Sequence, residues 1–177
     1  AATECESCSK VIAMMPVVPI VPDIILDVHR QWKSYNGFTF AFQPYLDTGI
    51  LEEFDSPEVA SAFQIMDPVN YLDRINKIPK YILVSSDDEF MSMDWTNTWY
   101  DKFKGETNLL IVPNSEHTMI TGLGQSISTI GTFIRSIASG IKLRPKFDYK
   151  YDNITGKLSV SISKNEIRPI SVKLRKA

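Results

Sequence analysis

Two apolar segments, each running into a polar cluster, constrain this chain more than any other feature of it. Lys80-Tyr81-Ile82-Leu83-Val84-Ser85-Ser86 leads directly into Asp87-Asp88-Glu89, and Leu109-Leu110-Ile111-Val112-Pro113 leads into Asn114-Ser115-Glu116-His117. A segment with helical patterning separates them, so the unit reads strand, helix, strand, and predicts two parallel neighbours in an α/β sheet. In open α/β sheets the chemistry gathers outside the carboxyl ends of the strands. An acid at one strand end, followed by a histidine after the next strand, is the second half of a nucleophile–acid–histidine triad in hydrolase chain order. The nucleophile would come earlier, on a strand-to-helix elbow, and the sequence contains no such elbow.

Composition removes several alternatives. The 177 residues are 44% hydrophobic and 23% charged, which suits a globular chain with a real core. A net charge of -2 leaves no electrostatic footprint for nucleic acid or for an anionic membrane surface. No apolar run approaches the roughly 20 residues of a membrane-spanning helix. The opening Ala1-Ala2-Thr3-Glu4 has neither a basic region nor an apolar core, so no signal peptide is visible. Either the protein stays in the cytosol or its true N-terminus lies upstream.

Cys5 and Cys8 are the two cysteines and form a CxxC pair. A zinc site would need further ligands, and only His29 and His117 are on offer among histidines. A redox pair would follow a strand and open a helix, whereas this one precedes a strand. A structural disulfide comes first among the readings, then free thiols, then redox catalysis. Asn153-Ile154-Thr155 is an N-glycosylation sequon in a turn-like setting and points to an extracellular location.

Val11 to Ile20 is a continuous apolar run with prolines toward its end, expected to be a buried parallel strand. From Asp23, a plausible N-cap, Ile24, Ile25, Val28, Trp32 and Tyr35 fall on one helical face, and Asn36-Gly37 ends the pattern. Phe38, Phe40, Phe42 and Tyr45 follow. Ser56-Pro57-Glu58 starts another helix, which Asp67-Pro68 ends. Roughly 60 residues thus separate the first strand from the second, against about two to six on each side of an ordinary crossover helix. Residues from about 23 to 76 therefore form a helical insertion, expected to cap the site, although each aromatic taken singly is a packing residue.

After the second strand, Asp94, Trp95, Trp99 and Phe103 suggest a capped helix with a stripe at i, i+4, i+8. After His117, the residues Ile127, Ile130, Phe133, Ile134, Ile137 and Ala138 form an amphipathic helix with Ser126 as its cap and Gly140 as its stop. From Arg144-Pro145 the period changes to two. Phe147, Tyr149 and Tyr151 alternate, a turn follows at Asn153 to Gly156, then Leu158, Val160 and Ile162 alternate, and Ile170, Val172 and Leu174 begin a third strand. Residues 1–143 are thus assigned to an α/β domain and 144–177 to the start of a small antiparallel β domain, with the sequence looking incomplete at both ends.

The site rests on Asp88 and His117. Asp87-Asp88-Glu89 alone reads as a solvated acidic turn, and His117 alone as a surface histidine. Each after its own strand, in the right order, they read as the acid and histidine of a triad. Asp88 is the better acid than Asp87, and His29, mid-helix, is assigned a structural role. Gly124-Gln125-Ser126 makes a poor elbow because no strand precedes it, and Gly122-x-Gly124 is an equally weak phosphate loop.

Several blocks in series carry a family resemblance. Pro19 through Phe38, Asp67-Pro68-Val69-Asn70-Tyr71-Leu72-Asp73-Arg74, Ser85 through Phe90, and Pro113-Asn114-Ser115-Glu116-His117 resemble the PhoPQ-activated pathogenicity-related family, which includes secreted repressors of proliferation. The resemblance covers nearly the whole chain. It implies the C-terminal part of an α/β-hydrolase fold followed by a small β domain. It also implies that the serine elbow lies in an upstream portion of the same protein, a partner this chain would need. On the family pattern Asp88 is the acid and His117 the histidine, while Asp87 stands where bacterial relatives have glycine. The expected protein is secreted, with Cys5 and Cys8 bridged and Asn153 glycosylated, and needs no cofactor. It would be either a serine hydrolase acting on a peptide or ester, or a signalling protein that meets a cell-surface receptor without depending on catalysis.

Overall fold

β1 (Lys80–Ser85) is the strand around which the rest of its unit is arranged, and five of its six residues are buried. The computed structural model describes residues 11–19, 23–140 and 147–162. The chain divides into two units, residues 1–133 and 134–177. Cys5, Cys8 and the expected strand at Ile170 to Leu174 lie outside the described residues. Helices and small sheets, one of them parallel, place the protein in the α/β class.

β2 (Thr107–Val112) runs parallel to β1, in register from Lys80↔Thr107 to Ser85↔Val112. On the other edge of β1, residues 11–19 pair in the same direction, as the apolar run predicted, but only through isolated bridges at Met14↔Lys80 and Val17↔Leu83. Prolines explain the shortfall. Pro16 and Pro19 have no N–H to give a ladder, and Val18 sits at φ 38, so the segment bends out of strand geometry between contacts.

β1 is covered on both faces, as a parallel strand requires. Ile82 and Val84 pack on Trp95 and Trp99, while Leu83 packs on Val112 and Met119. On the Leu83 side the Tyr81 ring meets Phe133 of α6 (Leu123–Ala138) edge-on, with centroids 5.4 Å apart. The single capped helix expected from Asp94 is instead a 3-10 turn (Met93–Trp95), a four-residue α5 (Thr96–Trp99) and a second 3-10 turn (Tyr100–Lys102). Thr96, Asn97 and Thr98 are weak helix formers, which leaves packing of the two tryptophans to decide the local path. Asp94 is exposed and takes a hydrogen bond from the Ser92 hydroxyl at 2.6 Å.

Between the first segment and β1 lie α1 (Ile24–Tyr35), α2 (Gln43–Asp47), α3 (Pro57–Met66) and α4 (Leu72–Ile75). Ser56 caps α3 as expected, accepting from the Val59 N–H at 3.2 Å. Asp23 does not cap α1: it adopts φ 76 and its side chain makes no cap bond. The cap comes from Asp67, whose Oδ2 accepts from the N–H groups of Asp23 and Ile24 at 2.7 and 2.9 Å. The buried face of α1 also differs from the expected stripe. Trp32 and Tyr35 are exposed, whereas Asp27 and Gln31 are buried beside Val28.

α6 begins at Leu123, so Ser126 lies inside it rather than at its cap. Its hydroxyl is buried and donates back to the Gly122 carbonyl at 3.0 Å. Ile127 and Ile134, placed on the apolar stripe by their spacing, are exposed.

The second unit contains a hairpin of β3 (Phe147–Asp152) and β4 (Lys157–Ile162). Phe147↔Ile162, Tyr149↔Val160 and Tyr151↔Leu158 pair across it on one face. Asn153 lies in the connecting turn, which Asp152 closes by accepting from the N–H groups of Ile154 and Thr155 at 2.9 and 3.1 Å.

Candidate functional site

Both candidate residues stand just past the carboxyl ends of β1 and β2. The ladder does not stop at the last strand pair: Ser86 N–H donates to the Val112 carbonyl, Asp87 N–H to the Ser115 carbonyl, and Asn114 N–H to the Ser86 hydroxyl. These bonds bring the two loops side by side, so residues 29 positions apart in sequence meet. Asp87 and Asp88 then separate cleanly. Asp87 is exposed, whereas Asp88 is buried and turned inward.

Asp88 is fixed from several directions. Its Oδ1 accepts from the N–H groups of Phe90 and Met91 at 2.9 and 2.8 Å, and both carboxylate oxygens lie 3.0 Å from His117 Nδ1. Against an ionised carboxylate, which can only accept, Nδ1 is the nitrogen that donates, and in the neutral imidazole the lone pair is then on Nε2. Among the described residues Nε2 has no hydrogen-bond partner. That tautomer is the one a general base needs.

His117 is held from three further sides. Its backbone N–H donates to Glu89 Oε2 at 3.0 Å. Its ring lies against Phe90, with centroids 4.8 Å apart. The loop that carries it is cross-tied by Glu116, whose carboxylate accepts from the Thr118 and Thr121 hydroxyls and from the Ile120 N–H. Those bonds pull Glu116 down to about 2. Gly122 ends the loop under β2, where a Cβ would stand 2.2 Å from Val112 Cγ1 and 2.9 Å from Ser115 Oγ. The Gly122-x-Gly124 pair is therefore a close-packing feature.

The insertion reaches this site. Rings run from Trp32 to Phe38, Phe42, Phe90 and His117 with successive centroids 5.0, 5.3, 5.5 and 4.8 Å apart. The Thr39 hydroxyl donates to the Glu89 carbonyl. Tyr35 and Thr39 from the insertion, with Ser86, Asp88 and Glu89 from the β1 loop, border an open cleft of about 500 Å3. His29 lies away from it, on the surface, with Nε2 2.7 Å from Asp55 Oδ1. Among the described residues no group of three or more His, Cys, Asp or Glu is placed to hold a metal ion. Nor is any helix among them long and apolar enough to cross a membrane.

Sequence reasoning passed over three contributors. Glu89 and Glu116 sit within the polar clusters it singled out, and only the fold shows which of them tethers the histidine. Asp27 carried a signal that was there to read, an acid between apolar Ile25 and Val28 on the inner side of a helix.

Parallel strands with a buried acid bound to a histidine beyond their carboxyl ends define an α/β protein with an acid–histidine pair at one edge of its sheet. The profile of the PhoPQ-activated pathogenicity-related protein matches residues 5–177, and the chain belongs to that family. It is 29% identical over 171 residues to autocrine proliferation repressor protein A of Dictyostelium discoideum, an alignment that covers 93% of this chain and 34% of that protein. The chain thus spans about a third of the length of this relative. No solved structure matches it.

Proposed function

We propose that this chain is the acid-and-histidine part of a secreted α/β-hydrolase-fold serine hydrolase, with the nucleophile on an upstream portion of the same protein. The observation that carries the reading is His117 Nδ1 bound to buried Asp88, which also borders an open cleft, with Nε2 unpartnered among the described residues. In the proposed reaction Nε2 takes the proton of a serine hydroxyl as the serine attacks a peptide or ester carbonyl. Asp88 holds the tautomer and stabilises the imidazolium, and the proton passes on to the leaving group. Phe90 and the aromatic insertion limit what enters. Secretion would go with a Cys5–Cys8 bridge and with a glycan on Asn153, which lies in an exposed turn.

The test uses the protein with its upstream portion and a serine-reactive fluorophosphonate. Wild-type should label, His117→Ala should not, and Asp88→Asn should slow labelling by about ten-thousand-fold. The likeness to autocrine proliferation repressor protein A favours a second reading, a secreted signal that binds a cell-surface receptor and keeps the fold without its chemistry. Failure of wild-type to label, with signalling intact in His117→Ala, would select that reading.

A further inference from the structure

Asp27 is the one carboxylate on α1, and what sets it apart from the buried Asp88 is that it lacks partners. It is completely buried, and among the described residues neither of its oxygens accepts a hydrogen bond. Gln31, one turn on, has its Oε1 in the same condition, as does the Trp95 indole N–H across the packed surface. Burying an ionised carboxylate without partners is strongly unfavourable, so such a group keeps its proton. The charges around it make ionisation harder still. Asp88 and Asp94, both on the segment that follows β1, repel a negative charge at Asp27, and Arg30 on its own helix is the one neighbour that opposes them. Arg30 is also engaged elsewhere, with its guanidinium carbon 4.6 Å from the centre of the Trp95 ring. Lys33, in the last turn of α1, is exposed, and the charged groups near the start and on the outer side of the helix have other partners. Asp67 caps the start of the helix, Asp23 pairs with Lys102 at 3.3 Å, and His29 pairs with Asp55 on the exposed side.

The same helix leads into the contacts that join the insertion to the site. Arg30 on Trp95, Thr39 on Glu89 and Phe42 on Phe90 all connect it to the segment carrying Asp88. We propose that Asp27 is the latch of a pH-operated cap: protonated, it lets α1 seat against the Asp88 segment, and ionised, it drives α1 away and opens the cleft that Asp88 borders. Burial, reinforced by Asp94 and Asp88, pushes Asp27 up to about 7, which places the change across neutral pH. The cap is seated in acid and loosened at and above neutrality. The inference concerns regulation of the site proposed above and takes its purpose from that reading, but its test does not use catalysis.

The sign follows from linkage. In the unseated state Asp27 is solvated and returns to its ordinary 3.8, so unseating releases a proton between that value and about 7. Hydrogen-exchange protection of the α1 amides, corrected for intrinsic exchange and read on the full chain, should fall about tenfold per pH unit between about pH 5 and about pH 7, then level off. In Asp27→Asn the slope should vanish. Asp94→Asn alters an exposed residue and removes one repelling charge, so the levelling-off should move to lower pH. Flat protection in wild-type overturns the latch, and so does a slope that survives in Asp27→Asn. If Asp27→Asn does not fold, an unmoved transition in Asp94→Asn overturns it instead.

Discussion

A single carboxylate, that of Asp67, gathers three backbone N–H groups from two separate elements. Asp23 and Ile24 donate to its Oδ2, and Val69 donates to its Oδ1 at 2.9 Å. It therefore caps α1 from 44 residues away while also starting the 3-10 turn Pro68–Tyr71. A cap of this kind contributes about 0.5–2 kcal/mol per helix end. We expect Asp67→Ala to lower stability by about 1–3 kcal/mol in urea unfolding, with Asp67→Asn recovering only part of the loss, because its one amide oxygen can accept at one position while its NH2 faces an N–H at the other. A loss below a few tenths would mean that water replaces the cap. Glu116 makes the opposite kind of prediction, one of pH. Its carboxyl is held below the usual 4.5 at about 2, so the order it gives the His117 loop is fully present above about 4.5 and is lost as pH falls toward 2. Amide protection at Ile120 should track that loss in wild-type, and Glu116→Gln should remove the dependence.

At the scale of elements, the parallel pair could be read from the sequence because both of its strands are short apolar runs with polar ends. That is how a strand covered on both faces looks when its carboxyl end faces solvent. The residues placed past those ends, Asp88 and His117, do meet. The sequence already favours Asp88 over Asp87, but the physical ground for separating two adjacent acids is burial, not spacing, and that comes with the fold. The misplaced features share a cause. The cap of α1, the buried face of α1 and the broken helix after Ser92 are all decided by distant partners, namely Asp67, the Asp88–Asp94 segment and the β1 residues Ile82 and Val84 on which the two tryptophans pack. A periodicity window cannot contain them. The His117 loop gives an element-scale test. Because Gly122 passes so close to Val112 and Ser115, Gly122→Ala must either push the loop off β2 or displace the core beneath it. Overpacking of this kind costs about 1–3 kcal/mol. We expect that destabilisation in thermal or urea unfolding, together with a longer His117–Asp88 distance seen as a changed imidazole Nδ1 proton shift. A variant with wild-type stability would show that the loop has room the packing does not suggest.

At the scale of the whole molecule, each unit shows surface that ordinary isolated domains avoid. In the first, β1 is enclosed, but among the described residues the outer edges of β2 and of residues 11–19 pair with no further strand. Ile111 on β2 is exposed, as is Ile127 on α6. Unpaired edges beside exposed apolar side chains are templates for association. In the second unit the apolar face of the β3–β4 hairpin is exposed along its whole length, and a two-stranded hairpin is marginal by itself. The upstream portion proposed above would bring further strands and cover, and the relative about three times as long has the length for them. We therefore expect the 177 residues expressed alone to self-associate, with dye-binding apolar surface and a broad unfolding transition. Co-expression with the upstream portion should give a monodisperse species in sedimentation velocity and one sharp transition. A monodisperse isolated chain that unfolds cooperatively would mean that the free edges are tolerated or are covered by its own residues, and would remove the structural reason for requiring the upstream portion.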